Sequence, residues 1–147
     1  MSKIESINIA NKSNETTFYV NQVYLEKDKG IVNDRYYEKS KNGKKQVTLI
    51  DIEEIDLFNK KTNTKIDYKD FRRNIIVSGF GLCKIVGEKI KIDDVILEIY
   101  EICQPCRGLQ EKLKLKNYVK DFVNKSGVRA NILASGYINV NSKILKI

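Results

Sequence analysis

The stretch Glu101-Ile-Cys-Gln-Pro-Cys-Arg-Gly-Leu109 holds two of the chain's three cysteines, its single proline and one of its few arginines. Cysteine does chemistry as the thiolate, the form that ligates soft metals and carries sulfur, and a fixed positive charge nearby favours that form. Arg107 supplies such a charge beside Cys106. The preceding residues, Val95 to Ile102, are β-branched and aliphatic and read as a strand. The following ones, with Leu109 and Leu113 four apart, read as the start of a helix. The cysteine pair is therefore expected at a strand-to-helix turn, where unpaired N–H groups and the positive end of the helix dipole reinforce Arg107. For Cys103, at the strand end, and for Cys83, in Gly81-Leu-Cys-Lys-Ile85, a buried apolar role is the ordinary expectation.

There is no histidine in the chain. That removes Ser-His-Asp and Cys-His catalysis, and it leaves three cysteines one ligand short of a structural zinc site. Any chemistry must run on cysteine, carboxylate, lysine, tyrosine or a bound cofactor. A strand, Cys-x-Pro-Cys and helix are locally similar to the thioredoxin family. That family also needs a second, cis proline opposite the cysteines, and this chain has only Pro105.

A length of 147 residues suits one domain with a real core. Met1 to Ser13 lacks the apolar centre of a signal peptide, and no apolar run reaches bilayer-spanning length, so no membrane partner and a cytoplasmic location with reduced thiols are expected. The net charge of +8 comes mostly from lysine, in runs such as Lys39 to Lys45 and Lys112 to Lys120, and reads as a solvated surface. With eight tyrosines it also admits a basic nucleic-acid-binding module as a third reading, but without an RNA-binding or helix-turn-helix signature no nucleic acid is expected. The arginines Arg35, Arg72, Arg73, Arg107 and Arg129 are scarce beside lysine, and each stands near a glycine, an asparagine or the cysteine turn. Such placement suits bidentate contact with phosphate or carboxylate.

To hold these residues the chain offers mostly strands. Ile4 to Ala10, Phe18 to Glu26, Gln46 to Ile50, Phe71 to Ser78, Lys89 to Ile92, Asp94 to Ile102, Val128 to Ala134, Tyr137 to Val140 and Ile144 to Ile147 carry strand patterns. Gly30 and Asn33 are expected at positive φ in a turn. Asp51 with Glu54 has capping-box spacing, ahead of a helix whose apolar face is Ile52, Ile55 and Phe58. A second amphipathic helix is expected over Leu115 to Val123, with Gly127 as its stop.

Taken in order and spacing, Gly30-Ile-Val-Asn-Asp34-Arg35, Gln46-Val-Thr-Leu-Ile50, Arg72-Arg73-Asn74-Ile75, Gly79, Gly87, Leu97-Glu98 and Pro105-Cys106 resemble the MOSC domain, the C-terminal domain of molybdenum cofactor sulfurase. The likeness runs over nearly the whole chain. It implies a single domain over 1–147, mainly β with a few helices, in a MOSC-type β-barrel resembling the pyruvate-kinase β-barrel domain. It also implies one functional cysteine, Cys106 and not Cys103, acting as a molybdenum ligand. Asp34, Arg35, Arg72, Arg73, Asn74, Arg107 and Arg129 would then bind the molybdenum cofactor, arginine forks meeting the pterin phosphate and Asn74 reading the pterin edge.

Such a protein is similar to small oxidoreductases that reduce N-hydroxylated compounds. With no flavin, haem or iron-sulfur motif in view, it would draw on an external electron donor. The alternative is a sulfur transferase, with Cys106 as a persulfide carrier fed by a separate desulfurase. This sequence departs from the family pattern at Asp93-Asp94 and Asn141-Ser142, where Gly-Asp turns are usual. Asp and Asn tolerate left-handed geometry, so both turns are expected to persist. Lys12-Ser13 stands where a Lys-Gly segment is common, and Tyr36 where a histidine is common.

Overall fold

The computed structural model describes residues 2–12, 15–39, 46–103 and 125–147. Its first strands are β1 (Lys3–Ile9), β2 (Phe18–Val20), β3 (Gln22–Glu26), β4 (Gly30–Ile31) and β5 (Val47–Asp51), followed by helix α1 (Ile52–Thr62). Then come β6 (Ile75–Ser78), β7 (Lys89–Ile92), β8 (Val95–Ile102), β9 (Val128–Ala134), β10 (Gly136–Asn139) and β11 (Ile144–Lys146). Cys106, Arg107, the second expected helix and the Lys39 to Lys45 loop beyond Lys39 lie outside the described residues.

Eight strands form one mixed sheet in the order β11-β7-β8-β9-β5-β6-β1-β2, and β10-β3-β4 form a second. Among the described residues all strand pairings are antiparallel except β5 with β6, which are parallel and are joined through α1 as a crossover requires. The large sheet curls back on itself. Lys3 bridges Lys143, and the Ile4 amide donates to the Ser142 carbonyl at 2.9 Å, yet this contact is a single bridge and not a ladder. The mainly β architecture is as expected, while the expected barrel is an open, curled sheet closed at one point.

Alternation along the strands builds two cores. Leu49 and Ile75 point into the main cluster between the sheets, with Ile4, Leu25, Leu97, Ile132 and Ile138. Their neighbours Ile50 and Ile76 point the other way, against Ile55 and Phe58 of α1 and against Phe71. Phe58 and Phe71 meet edge to face, with ring centroids 5.9 Å apart.

Several local expectations are corrected. The Phe18 to Glu26 run breaks at Asn21 into two strands that belong to different sheets. Phe71 to Asn74 is not strand: Tyr68–Phe71 is a 3-10 turn, and Arg72 takes a left-handed φ of 62° before β6 begins. Asp51 does precede α1, but its side chain makes no capping bond. Its carboxylate accepts instead from the Gly81 amide at 2.9 Å and the Leu82 amide at 2.8 Å. Those donors open the 3-10 turn Leu82–Lys84, so the residue that spacing assigned to a helix start ties down a distant loop. The left-handed turns are as expected, at Gly30 (φ 115°), Asn33 (φ 74°), Asp93 (φ 52°) and Asn141 (φ 75°).

Replacing Asp51 with Ala removes two charge-assisted bonds and strands two backbone donors. The expected loss is about 2–4 kcal/mol, read from the urea midpoint, while Glu54→Gln, aimed at the unformed capping box, shifts it by less than about 1 kcal/mol.

Candidate functional site

Two adjacent residues after β4 anchor the site. Asp34 and Arg35 are buried, their side chains 1% and 3% exposed, and Arg35 Nη1 donates to Asp34 Oδ1 at 3.2 Å. The same Oδ1 accepts from the Ala10 amide at 3.1 Å, which fixes the chain leaving β1. Arg35 Nη2 donates to the Arg72 carbonyl at 3.1 Å, which fixes the chain entering β6. The guanidinium also lies 4.8 Å from the centre of the Tyr36 ring, so the tyrosine standing where a histidine is common serves as a cation–π seat. Asp34 Oδ2 and Arg35 Nε are buried and find no hydrogen-bond partner among the described residues.

Arg72 is held on both sides. Its carbonyl meets Arg35, and its Nη1 donates to the Glu15 carbonyl. A left-handed conformation at a side-chain-bearing residue such as arginine is strained by about 1–3 kcal/mol and persists only where its surroundings over-determine it. The consequence is directional, because the turn sends Arg73 towards a different element. Arg73 Nε donates to the Ser126 carbonyl at 2.7 Å, and the Ser126 hydroxyl donates to the Cys103 carbonyl.

Asn74 locks the strand junction. Its Oδ1 accepts from the Thr48 amide at 3.1 Å and the Thr48 hydroxyl at 3.2 Å, and its Nδ2 donates to the Asn8 carbonyl at 3.2 Å. Asn8 Nδ2 donates in turn to the Arg73 carbonyl at 3.0 Å. Arg129 lies across from Thr48 in the β5–β9 ladder. Its Nη1 pairs with Glu101 Oε1 at 3.2 Å, and its guanidinium is a neighbour of the Cys103 side chain. Burial works against the charge on Arg129, yet the neighbouring Cys103 sulfur and Glu101 carboxylate hold its pKa above the ordinary guanidinium value.

Asp34, Arg35, Arg72, Arg73, Asn74 and Arg129 thus belong to one connected neighbourhood, although they come from separate parts of the chain. That neighbourhood adjoins Cys103, the last described residue before Cys106. Asn8, Thr48, Ser126 and Glu101 complete it and were not singled out from the sequence. Asn8 had left a signal: it is an amide inside the apolar run Ile7-Asn8-Ile9, and it is wholly buried.

Cys83 and Cys103 both meet the carbonyl of Gly127. The Cys83 thiol reaches it at 3.9 Å, and the Cys103 amide donates to it at 2.8 Å. Gly127 has a φ of 97°, and a Cβ there would stand 2.2 Å from the Leu49 carbonyl oxygen, so only glycine lets the two backbones approach. Burial pushes the Cys83 thiol up, helped by the charges of Asp51 and Glu54.

A family model for the MOSC domain matches residues 29–145. The chain belongs to the MOSC domain family. That family is associated with the molybdenum cofactor and with sulfurase-like function. Among solved structures, the YUAD protein of Bacillus subtilis superposes with a TM-score of 0.83 at 18% identity, over 98% of this chain and 94% of that one. YiiM of Geobacillus stearothermophilus gives 0.79 at 16% identity, over 100% and 75% of the two chains. YiiM of Escherichia coli gives 0.75 at 12%, over 99% and 69%. At these identities the likeness establishes the MOSC fold. No curated protein matches the sequence. Among the described residues, no helix is long and apolar enough to cross a membrane.

A raised Cys83 pKa has two measurable results. Peptide-level mapping of iodoacetamide labelling at pH 8 is expected to find Cys83 slower than a free peptide thiol, its rate still climbing where the free thiol has levelled off. Because the folded value lies above the unfolded one, the stability this thiol contributes is intact below the free-thiol pKa and declines as pH rises through the folded pKa. A Cys83→Ala variant should lose that part of the alkaline decline in urea stability.

Proposed function

We propose that this MOSC protein binds the molybdenum cofactor with the Cys106 sulfur as a metal ligand, and that it acts as an oxidoreductase on N-hydroxylated compounds with an external electron donor. The observation that carries this reading is the strained Arg72 turn. It is held by a buried ion pair and a carbonyl, and it delivers Arg73 to the same neighbourhood as Arg129 and Cys103. Backbone strain over-determined in this way is a feature of ligand clamps.

The residues fit such a group. An anionic pterin phosphate calls for arginine forks, and Arg73 and Arg129 bring two to this neighbourhood, with Arg107 close to Cys106 in sequence. Asp34 Oδ2 and Arg35 Nε, buried and without a partner among the described residues, are an acceptor and a donor of the kind a polar pterin edge would satisfy. When bound, the cofactor supplies the two-electron chemistry of the metal. The chain supplies charge, orientation and one sulfur ligand. Arg35 acts by holding the Arg72 carbonyl, and Asn74 by holding β1, β5 and β6 in register.

A sulfur-carrier role for Cys106, with sulfur from a separate desulfurase, is the second reading. It is favoured by the gathering of Arg73 and Arg129 beside Cys103, the last described residue before Cys106, since fixed positive charge favours thiolate and persulfide sulfur.

The test is the molybdenum and oxidised-pterin content of protein purified from a cofactor-competent host. Near-stoichiometric metal is expected in the unmodified protein and in Cys103→Ser, with loss in Cys106→Ser. Metal and pterin missing from the unmodified protein, with labile sulfur on Cys106, would overturn the cofactor reading in favour of the carrier.

A further inference from the structure

Strand β1 carries an irregularity between two core residues, Ile4 and Ile7. Its ladder with β6 pairs Lys3 with Ser78 and Ile4 with Val77, then Ser6 with Ile76 and Ile7 with Ile75, so Glu5 is an extra residue. In a regular strand Glu5 and Ser6 would face opposite sides of the sheet. A bulge re-aims a side chain, and here both residues border one open cavity of about 300 Å³. Its other walls include Tyr19, Val20 and Tyr68.

The two tyrosines differ in freedom. Tyr68 is fixed, its hydroxyl donating to Asp56 Oδ1 at 2.9 Å. Tyr19 lies on β2 at the sheet edge and is half exposed. Glu5 forms no ion pair among the described residues, in a chain of net charge +8 with lysine in abundance. An unneutralised carboxylate beside two phenol rings is the composition that attracts a cation, its charged head drawn by the carboxylate and by the ring quadrupoles together. The local field agrees: the Tyr68 hydroxyl is held above its usual pKa by its bond to Asp56 and by burial, with Tyr19 and Glu5 adding to the same direction.

We propose that this cavity binds a small organic cation, a primary alkylammonium or guanidinium whose charged head meets Glu5 and the rings of Tyr19 and Tyr68 and whose short apolar arm lies against Val20. The volume is at the small end for ligand cavities and suits a short carbon chain, not a fused ring system. The site is separate from the arginine neighbourhood but is joined to it, because the Ser6 hydroxyl on its wall donates to Asn8 Oδ1 at 3.1 Å and Asn8 donates to the Arg73 carbonyl.

Amide NMR titration with n-butylammonium, n-butylguanidinium and n-butanol, the neutral isostere of the first, tests this without reference to cofactor content. Saturable shifts at Glu5, Tyr19 and Tyr68 are expected from both cations, with the alcohol about tenfold weaker. Glu5→Gln should weaken the cations by about tenfold and leave the alcohol unchanged, since a charged hydrogen bond is lost and the shape is kept. Tyr19→Leu, at an exposed edge where folding is not at stake, should weaken the cations and spare the alcohol. A capped Gly-Lys-Gly peptide binding as tightly as n-butylammonium would assign the site to lysyl side chains, and binding of the free cations alone would assign it to small molecules. Equal binding of cation and alcohol, or cation binding indifferent to both substitutions, would overturn the proposal.

Discussion

A buried ion pair between neighbours in sequence, Asp34 and Arg35, is the constraint on which the rest of the site rests. Taking a carboxylate and a guanidinium out of water costs several kcal/mol each, and their mutual attraction offsets this only when the remaining polar atoms also find partners. Here backbone supplies part of that. Asp34 takes the Ala10 amide at the exit of β1, and Arg35 takes the Arg72 carbonyl at the entry to β6. The pair therefore fixes the ends of two adjacent strands, and the Asn8–Asn74–Thr48 bonds follow from that registration. One atom of each, Asp34 Oδ2 and Arg35 Nε, finds no partner among the described residues.

The lysines and arginines divide the work. Lysine gives the chain its positive surface, while the described arginines bond to carbonyls and carboxylates through a rigid fork that lysine lacks. Arginine chemistry also separates two of the cysteines. Cys83 lies near Asp51 and Glu54 and is kept neutral by burial, whereas Cys103 has the Arg129 guanidinium as its neighbour. Gly127 lets both approach one carbonyl, so the end of β8 is as much a product of that glycine as of the sulfur residues.

Much of this was legible in the chain, and the exceptions share a cause. Alternation placed nearly every strand, and the chemistry of Asp and Asn at positive φ preserved the turns at Asp93 and Asn141 without glycine. What failed was whatever depends on a distant partner. Asp51 has the spacing of a helix cap, but two amides thirty residues away compete for its carboxylate and win. Arg72 to Asn74 reads as the start of a strand because local pattern cannot register Arg35 gripping the Arg72 carbonyl. The site was legible as a set of residues and not as a network. Arginine scarcity picked out its cations, while Ser126 and Thr48 are ordinary residues whose role exists only once β5, β6 and β9 lie together.

Anomalous diffraction at the molybdenum edge, from crystals of protein made in a cofactor-competent host, tests the central claim most directly. The expected result is a single peak at bonding distance from the Cys106 sulfur, with phosphate density against Arg73 and Arg129 beside the Arg72 turn. A peak elsewhere, or full metal occupancy with no density near those arginines, would contradict the assignment of this neighbourhood as the cofactor site.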